Sequence, residues 1–477
     1  MNFERDTIAA ISTAAGPGGI GIVRLSGPKA WEVGRTLFRP AKGALPDPPP
    51  TRRLIYGHIH DPASGEVVDE ALAAFFKAPR TYSTEDTLEL QGHAGPAVTQ
   101  RVLALCLAQG CRLAQPGEFT RRAYLGGRLD LSQAEAVAQL IAAASQSEAR
   151  LALGALEGGL ARELAPVRET LLNVAAAVEA ALDFPDEVAD IITPELAQRL
   201  EREVASPLAK LLEQSQRRRV FREGAVVVLC GRPNVGKSSL FNRLLGERRA
   251  IVTARPGTTR DAIEEAALLG GVVCRLVDTA GLTDSSDEVE ALGVELAKGR
   301  LGLADLALLV LDQSLPLTPE DRAALDATKD LPRLVALNKS DQPAAWDASE
   351  LCSNQGSNRG SNLGSDWGLE QDRLLSVSAK QGQGMDELSA ALGRAVSGGA
   401  AEPKPGEVVA GTRQREALGR CLETVQRAAE GLNGPDPEIE LVSLDLNQAL
   451  IALGEVDGQG APDQVIDAVF ENFCVGK

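Results

Sequence analysis

The strongest constraint on the fold is the run Gly231-Arg232-Pro233-Asn234-Val235-Gly236-Lys237-Ser238, set directly after the apolar stretch Ala225–Cys230 and before a helical pattern that opens at Ser239. A buried strand that turns at once into a helix aims backbone N–H groups into the turn, and glycine there lets an anion approach them closely. Lys237 adds positive charge where β and γ phosphates would lie, and the Ser238 hydroxyl can ligate Mg2+. Further short apolar runs follow at Val272–Val277, Leu306–Leu311, Leu334–Leu337 and Leu374–Val377, alternating with helical segments. Such runs suit a parallel sheet covered on both faces. Residues 223–383 therefore read as a P-loop α/β module of the Ras-like kind.

Polar motifs end these strands, where α/β sheets bind ligands. Asp278-Thr279-Ala280-Gly281 places a carboxylate where it can reach a metal through water. Asn338-Lys339-Ser340-Asp341 offers a carboxylate that can accept both hydrogens of guanine's N1 and N2 edge, which adenine lacks. Ser378-Ala379-Lys380 would close over the base. The order of these motifs points to GTP. The candidate nucleotide contacts are Asn234, Val235, Gly236, Lys237, Ser238 and Ser239; Thr253, Ala254, Arg255, Pro256, Gly257, Thr258 and Thr259; Asp278, Thr279, Ala280 and Gly281; and Asn338, Lys339, Asp341, Ser378, Ala379 and Lys380. Leu282 stands where Ras-like enzymes carry the glutamine that orients the attacking water, so that function must come from elsewhere. Asn234 has two readings: a turn residue after Pro233, or a side-chain carbonyl that, with backbone carbonyls around Thr253–Thr258, holds a monovalent cation.

Outside this module the chain has two other textures. Residues 1–120 mix β-rich runs (Ile20–Leu25, Thr87–Gln91) with Gly/Pro turns and one apolar helix near Ala97–Ala108, the pattern of an α+β domain. Residues 121–222 and 384–477 are helical and would pack as one discontinuous bundle, interrupted by the P-loop module. Ser132 and Glu135 have the spacing of a capping box. Leu156, Leu160, Leu164, Val167, Leu171, Val174 and Val178 form one helical stripe, which Pro166 would kink or restart at a cost of about 3 kcal/mol inside a straight helix. Residues 355–366, a Gly-Ser-Asn tract, carry too little apolar surface to order themselves. Gly16-x-Gly18-x-x-Gly21 fits a dinucleotide fingerprint, but the strand-like Ile22-Val23-Arg24-Leu25 follows it where a helix is required.

A net charge of −17 argues against non-specific adhesion to nucleic acid or acidic membranes, leaving local patches such as Arg121-Arg122 and Arg217-Arg218-Arg219 as the candidate RNA contacts, with a solvated helix surface as the plainer reading. No apolar run reaches the ~18 residues of a membrane span. The seven cysteines are scattered without a CxxC pair, which suits reduced thiols in a cytoplasmic compartment.

The P-loop, Gly257-Thr258-Thr259-Arg260-Asp261, the DTAG run and the NKSD run resemble the TrmE–Era–EngA–YihA–septin-like group of GTPases. Outer motifs narrow the resemblance to the MnmE (TrmE) family of tRNA-modification GTPases. These are Asp6–Ala10 leading to GPGGIGIVRLSG, Leu88–His93, Pro116–Thr120, Arg128–Leu131, Asp183–Glu187 and Phe473–Lys477. The resemblance covers the chain apart from the Gly-Ser-Asn tract. It implies a multidomain α/β protein whose 1–120 segment resembles a tetrahydrofolate-binding dimerisation domain. The expected partners are a second copy, the flavin-dependent MnmG (GidA) protein and tRNA, with no membrane. The implied activity is aminomethyl or carboxymethylaminomethyl addition at C5 of the wobble uridine. The cofactors would be GTP, Mg2+, K+ and 5-formyl- or 5,10-methylene-tetrahydrofolate. Carried over by position, folate contacts fall on Arg24, Glu89, Arg128 (usually lysine in the family) and Lys477. Mg2+ falls on Ser238 and Thr259, and K+ on Asn234, Thr253, Arg255 and Thr258. The catalytic set is Lys237, Thr259 and Glu290, the last supplying the water orientation that Leu282 cannot. Cys474, near the terminus, has two readings: a place near the dimer centre, or direct chemistry with Lys477 lowering its pKa. A ribosome-assembly GTPase of the Era or EngA type is the competing class. Era adds a KH domain and EngA a second G domain, and this chain shows one P-loop and no KH-like end. A nucleotide-gated scaffold is a third class, distinguished by negligible turnover. Leu282 and Asn234 together predict a GTPase rate several-fold higher in K+ than in Na+ at equal ionic strength; equal rates in the two salts would refute the cation assignment.

Overall fold

The computed structural model describes residues 6–184, 193–248, 264–278, 304–352, 373–433, 438–460, 462–471 and 473–477. The first part of the chain forms a seven-stranded sheet from β1 (Ile8–Ile11), β2 (Gly21–Ser26), β3 (Phe38–Pro40), β4 (Leu54–His60), β5 (Val67–Phe76), β6 (Thr87–Gly92) and β7 (Arg112–Leu113). Their order is β3-β4-β5-β6-β2-β1-β7, antiparallel except for the β1–β7 pair. Side chains alternate along a strand, so Val23 and Leu25 are buried while Ile22 and Arg24 face the other way. The buried face packs on helices Ala30–Leu37 and Pro96–Ala108 through Val33, Leu37, Val102 and Leu105. Register sets Arg24 opposite Glu89 on the other face. The expected strands at 20–25 and 87–91 and the helix near 97–108 are present. A strand begins at Gly21, so the glycine-rich run before it opens no helix.

Helices Gly159–Asp183, Thr412–Leu432 and Ile439–Asp457, with the stretch Pro194–Arg217, share one apolar core that includes Leu164, Leu171, Leu418, Val425, Leu446 and Leu453. Two local expectations are corrected. The helix Leu131–Ala142 is capped by Asp130, whose carboxylate accepts from Gln133 N, while Gln133 bonds back to Asp130 N. Ser132 is instead buried and donates to Val456 O at 2.7 Å. The stripe breaks at Gly158, in left-handed backbone at φ 76°, and the next helix runs through Pro166 without a second restart. Leu156 belongs to the preceding helix, Gln146–Leu156.

The P-loop module is a six-stranded sheet of β8 (Ala225–Cys230), β9 (Glu264–Leu269), β10 (Val272–Asp278), β11 (Leu306–Asp312), β12 (Arg333–Asn338) and β13 (Leu374–Ser376), in the order β13-β12-β11-β8-β10-β9. All neighbours are parallel except β9 against β10. β11 is buried along its whole length, as a central parallel strand should be. β9 was not expected, because Glu-Glu-Ala-Ala-Leu-Leu carries no strand propensity. The two-residue turn Gly270-Gly271, with φ 53° and 83°, folds it back on β10. The helix Met385–Val396 packs into this sheet's core through Met385, Leu388, Ala391 and Leu392.

The chain end returns to the first sheet. Phe473 buries against Phe470 and Leu131, Val475 bridges Pro116, and Ser12 Oγ donates to Gly476 O at 3.0 Å. Gly476 sits at φ 95°, where a Cβ would lie 2.2 Å from Ile11 O, so only glycine lets the tail lie this close. Beneath the tail, Glu118 is 3% exposed and accepts from Arg112 at 2.6 Å, Arg122 at 3.0 Å and Gln115 N at 2.8 Å. Burial pushes its carboxyl up, and those three donors more than offset this, holding it below the usual glutamate range. A depressed folded pKa gives stabilisation that is full above the ordinary glutamate value and is lost as pH falls through the folded one. Glu118→Gln is expected to cost about 1–3 kcal/mol near neutral pH by removing the buried carboxylate that Arg112 and Arg122 share, while both keep Asp6. The gap to wild type in urea melts should narrow as pH is lowered below the glutamate range.

Candidate GTP and N-terminal sites

The sheet's five parallel strands end at one edge of the P-loop module, and those candidate nucleotide contacts that lie among the described residues gather there. After β8 the chain enters the loop at Gly231 (φ 139°), passes Asn234 (φ 63°) and Gly236 (φ 99°), and starts the helix Lys237–Arg248. A Cβ on Gly231 would lie 2.3 Å from Val310 O, and one on Gly236 would lie 2.3 Å from Asn338 Nδ2. Both glycines are therefore demanded by close approach as well as by dihedral. Lys237 is buried and donates to Gly231 O at 2.8 Å and Arg232 O at 3.0 Å, so its ammonium is curled inside the loop. Burial draws its pKa below the ordinary lysine value, with Asp278 opposing. Ser238 Oγ donates to Asp278 Oδ2 at 2.9 Å, which brings the two expected metal-binding groups together from β10 and the loop. A hydroxyl and a carboxylate are oxygen donors suited to a hard cation, and they fit Mg2+.

The base end is tied to the phosphate end. Asn338 Nδ2 donates to Val235 O at 2.8 Å, while its Oδ1 accepts from Ala379 N at 3.1 Å. Ser378 Oγ donates to Asp341 Oδ1 at 2.6 Å, and this bond, helped by Lys380 and Lys339, holds the Asp341 carboxyl below the usual aspartate range. Ser239 and Lys380 are exposed. Asn234 is exposed in left-handed backbone, a conformation that asparagine tolerates, which accords with its turn reading and leaves its side chain at the loop surface. Thr253, Ala254, Arg255, Pro256, Gly257, Thr258, Thr259, Thr279, Ala280, Gly281, Leu282 and Glu290 lie outside the described residues, as does the 355–366 tract.

Two supports were not singled out in the sequence. Asp312, with its side chain 1% exposed at the end of β11, accepts from Lys339 Nζ at 2.6 Å and so fixes the lysine of the base motif. Arg232 in the loop donates through Nε to Asp321 Oδ2 at 3.1 Å, and Asp321 caps the helix Pro319–Ala327 with Thr318. A signal existed for Asp312, a polar residue closing an apolar strand as Asp278 and Asn338 do. None existed for Asp321, whose partner is distant in sequence.

The first sheet brings together a second set. Arg24 Nε donates to Glu89 Oε1 at 2.9 Å, and Gln91 Nε2 donates to Glu89 Oε2 at 3.2 Å. Lys477 ends the tail that docks on this sheet; burial first, then the Arg24 charge, lowers its pKa, with Glu89 opposing. Arg128 lies close by, its Nη1 donating to Tyr82 O at 3.1 Å. Cys474 is exposed, and its carbonyl accepts from Gly117 N at 3.4 Å. All seven cysteines are free thiols. The arginine pairs considered for RNA are engaged otherwise: Arg121 with Asp467, Arg122 with Asp6, Glu85 and Glu118, Arg217 with Glu213, Arg218 with Glu407 and Arg219 with Asp305. Apart from Arg217, whose partner lies one turn back on the same exposed helix face, they clamp elements to one another.

A glycine-built loop with a buried lysine, a serine hydroxyl bonded to an aspartate and a second aspartate at the same sheet edge make the arrangement of a P-loop GTP hydrolase, a class that binds GTP and Mg2+. Residues 131–474 match the family described as "MnmE helical domain", and residues 7–128 match "GTP-binding protein TrmE N-terminus". Relatives described as "tRNA modification GTPase MnmE" are 40% identical over 476 residues in Alkaliphilus metalliredigens, covering 100% of both chains. The Moorella thermoacetica relative is 42% identical over 475 residues and the Heliobacterium modesticaldum one 43% over 480, each covering 99% of both chains. The G domain of the T. maritima FeoB iron transporter aligns with 36% of this chain and 98% of its own length at 26% identity, with a TM-score of 0.25. This chain belongs to the MnmE family of tRNA modification GTPases. Among the described residues no helix is long and apolar enough to cross a membrane.

Removing the Asn338 amide would leave Val235 O and Ala379 N without their partner. Asn338→Ala is expected to cost about 1–3 kcal/mol of stability. It should also weaken GDP and GTP binding about tenfold or more, measured by fluorescent-nucleotide titration beside a thermal melt.

Proposed function

We propose that this chain works as a homodimer with a flavin-dependent MnmG partner in the cytoplasm, adding an aminomethyl or carboxymethylaminomethyl group to C5 of the wobble uridine of certain tRNAs. The observation that carries the reading is the Arg24–Glu89 pair on the first sheet, with Arg128 sharing the Tyr82 ring with Arg24 and the tail that ends in Lys477 docked on the same sheet. A cationic basin holding one carboxylate suits a reduced folate, which has anionic carboxylates and a polar ring edge. When bound, 5-formyl- or 5,10-methylene-tetrahydrofolate would supply the one-carbon unit. Arg24, Glu89, Arg128 and Lys477 would bind and orient it. Cys474 is exposed on the same docked tail, three residues before Lys477.

In the P-loop module Lys237 would leave the loop carbonyls for the β and γ phosphates, and Ser238 and Thr259 would hold Mg2+. Asn234, Thr253, Arg255 and Thr258 would hold K+, whose charge does the work of an arginine finger. Glu290 would orient water where Leu282 cannot. Phe473–Lys477 joins the bundle to the first sheet, so movement of the P-loop module has a covalent route to the folate basin. The names of the full-length relatives favour this reading over ribosome assembly. Deletion of the gene, followed by mass spectrometry of tRNA nucleosides, should show loss of C5-modified wobble uridine and its return on complementation. Unchanged nucleosides would sink the proposal.

A further inference from the structure

Tyr82 lies in the loop between β5 and β6, outside every motif that carries the family resemblance. Its ring centroid is 4.8 Å from Arg128 Cζ and 5.7 Å from Arg24 Cζ. Phe119 stands 5.7 Å from the same Arg24 carbon. The tyrosine is tied down at several points. Its hydroxyl shares a 2.8 Å hydrogen bond with Thr120 Oγ1, and its carbonyl accepts from Arg128. Its neighbour Ser83 is buried and bonds Ser26 Oγ at 2.5 Å, on the strand that carries Arg24. The ring also packs on the small cluster of Ile8, Ala10 and Phe119.

Arg24 and Arg128 bring two positive charges to one ring, and one carboxylate, Glu89, bonds Arg24. Like charges at this spacing repel, and each long side chain gains freedom by swinging into water. A fixed aromatic face opposes both tendencies, because its quadrupole attracts a cation lying over it. A planar guanidinium can lie flat on such a face, and an ammonium cannot.

We propose that Tyr82 is the positioning residue of this site: its ring holds the guanidinium groups of Arg24 and Arg128 in place to meet an anionic reduced folate, and arginine at 128 is matched to that ring. The proposal rests on the folate reading of the basin and adds to it a residue and a reason for the arginine. The ring, and not the hydroxyl, performs the role.

The test is a mutant cycle on the full-length protein, reading the dissociation constant for 5-formyl-tetrahydrofolate by calorimetry. Tyr82→Leu should weaken binding about tenfold, from the loss of two such contacts, and Tyr82→Phe should stay within about twofold of wild type. Arg128→Lys should cost about threefold in the wild-type background and nothing further beside Tyr82→Leu. Wild-type affinity in Tyr82→Leu, or an equal cost of Arg128→Lys in both backgrounds, overturns the proposal. If Tyr82→Leu fails to fold, Arg128→Lys alone decides, and unchanged affinity there overturns it. Arg24→Ala separates the two layers. Full binding by that variant removes the folate reading itself, whereas its loss beside intact binding by Tyr82→Leu removes only the role of Tyr82.

Discussion

The P-loop module depends on one side chain that bonds in two directions. Asn338 ends a buried strand, donates to the carbonyl of Val235 in the phosphate loop and accepts from the amide of Ala379 in the base loop. Both partners are backbone groups that burial would otherwise leave unsatisfied, and an unpaired buried polar group costs more than a made bond returns. The P-loop and the loop after β13 are thus joined through one side chain. The glycine at 236 follows from the same bond, since any Cβ there would strike the Asn338 amide. Lys237 and Ser238 inherit their positions from that anchoring, as does the Ser238–Asp278 pair that suits Mg2+.

Charge is used differently in the rest of the molecule. The chain is strongly acidic, with a net charge of −17, and many of its arginines act as inter-element clamps. Arg122 joins Asp6, Glu85 and Glu118 beneath the docked tail. Arg413 binds Glu135 and the carbonyl of Glu455, locking the segments on either side of the inserted module. Arg168 does likewise with Asp457. A charge buried with several partners is costly to break, so these clamps give the discontinuous bundle a defined geometry. Of the arginines that resemble nucleic-acid contacts in the sequence, all but the exposed Arg217 are consumed by this task, and Arg24 and Arg128, gathered on one tyrosine ring, stand out against that pattern.

Much of the fold is legible in the residues. The continuous apolar runs of β8, β10, β11 and β12 mark buried parallel strands, because a strand covered on both faces tolerates few polar groups. The phosphate loop announces itself through glycines that its dihedrals require. Where reading failed, a distant partner decided. Glu264–Leu269 became a strand through pairing across Gly270-Gly271, against its own propensity. Asp130 took the cap that Ser132 seemed to own, since Ser132 found a buried carbonyl on another helix. Pro166 stayed within its helix because Gly158 already supplied the break.

The sequence alone determined the chemistry of the nucleotide site, since strand, glycine turn, lysine and serine are neighbours in the chain and local sterics set their arrangement. It also carried the residue types of the second site. Only the tertiary structure decided that Arg24, Glu89, Tyr82 and Arg128 meet, through strand register and loop packing, and that the tail docks on the same sheet, which needs a glycine at 476. Contacts between residues far apart in the chain leave no periodicity or spacing to read, and their geometry exists only once the intervening domains have folded.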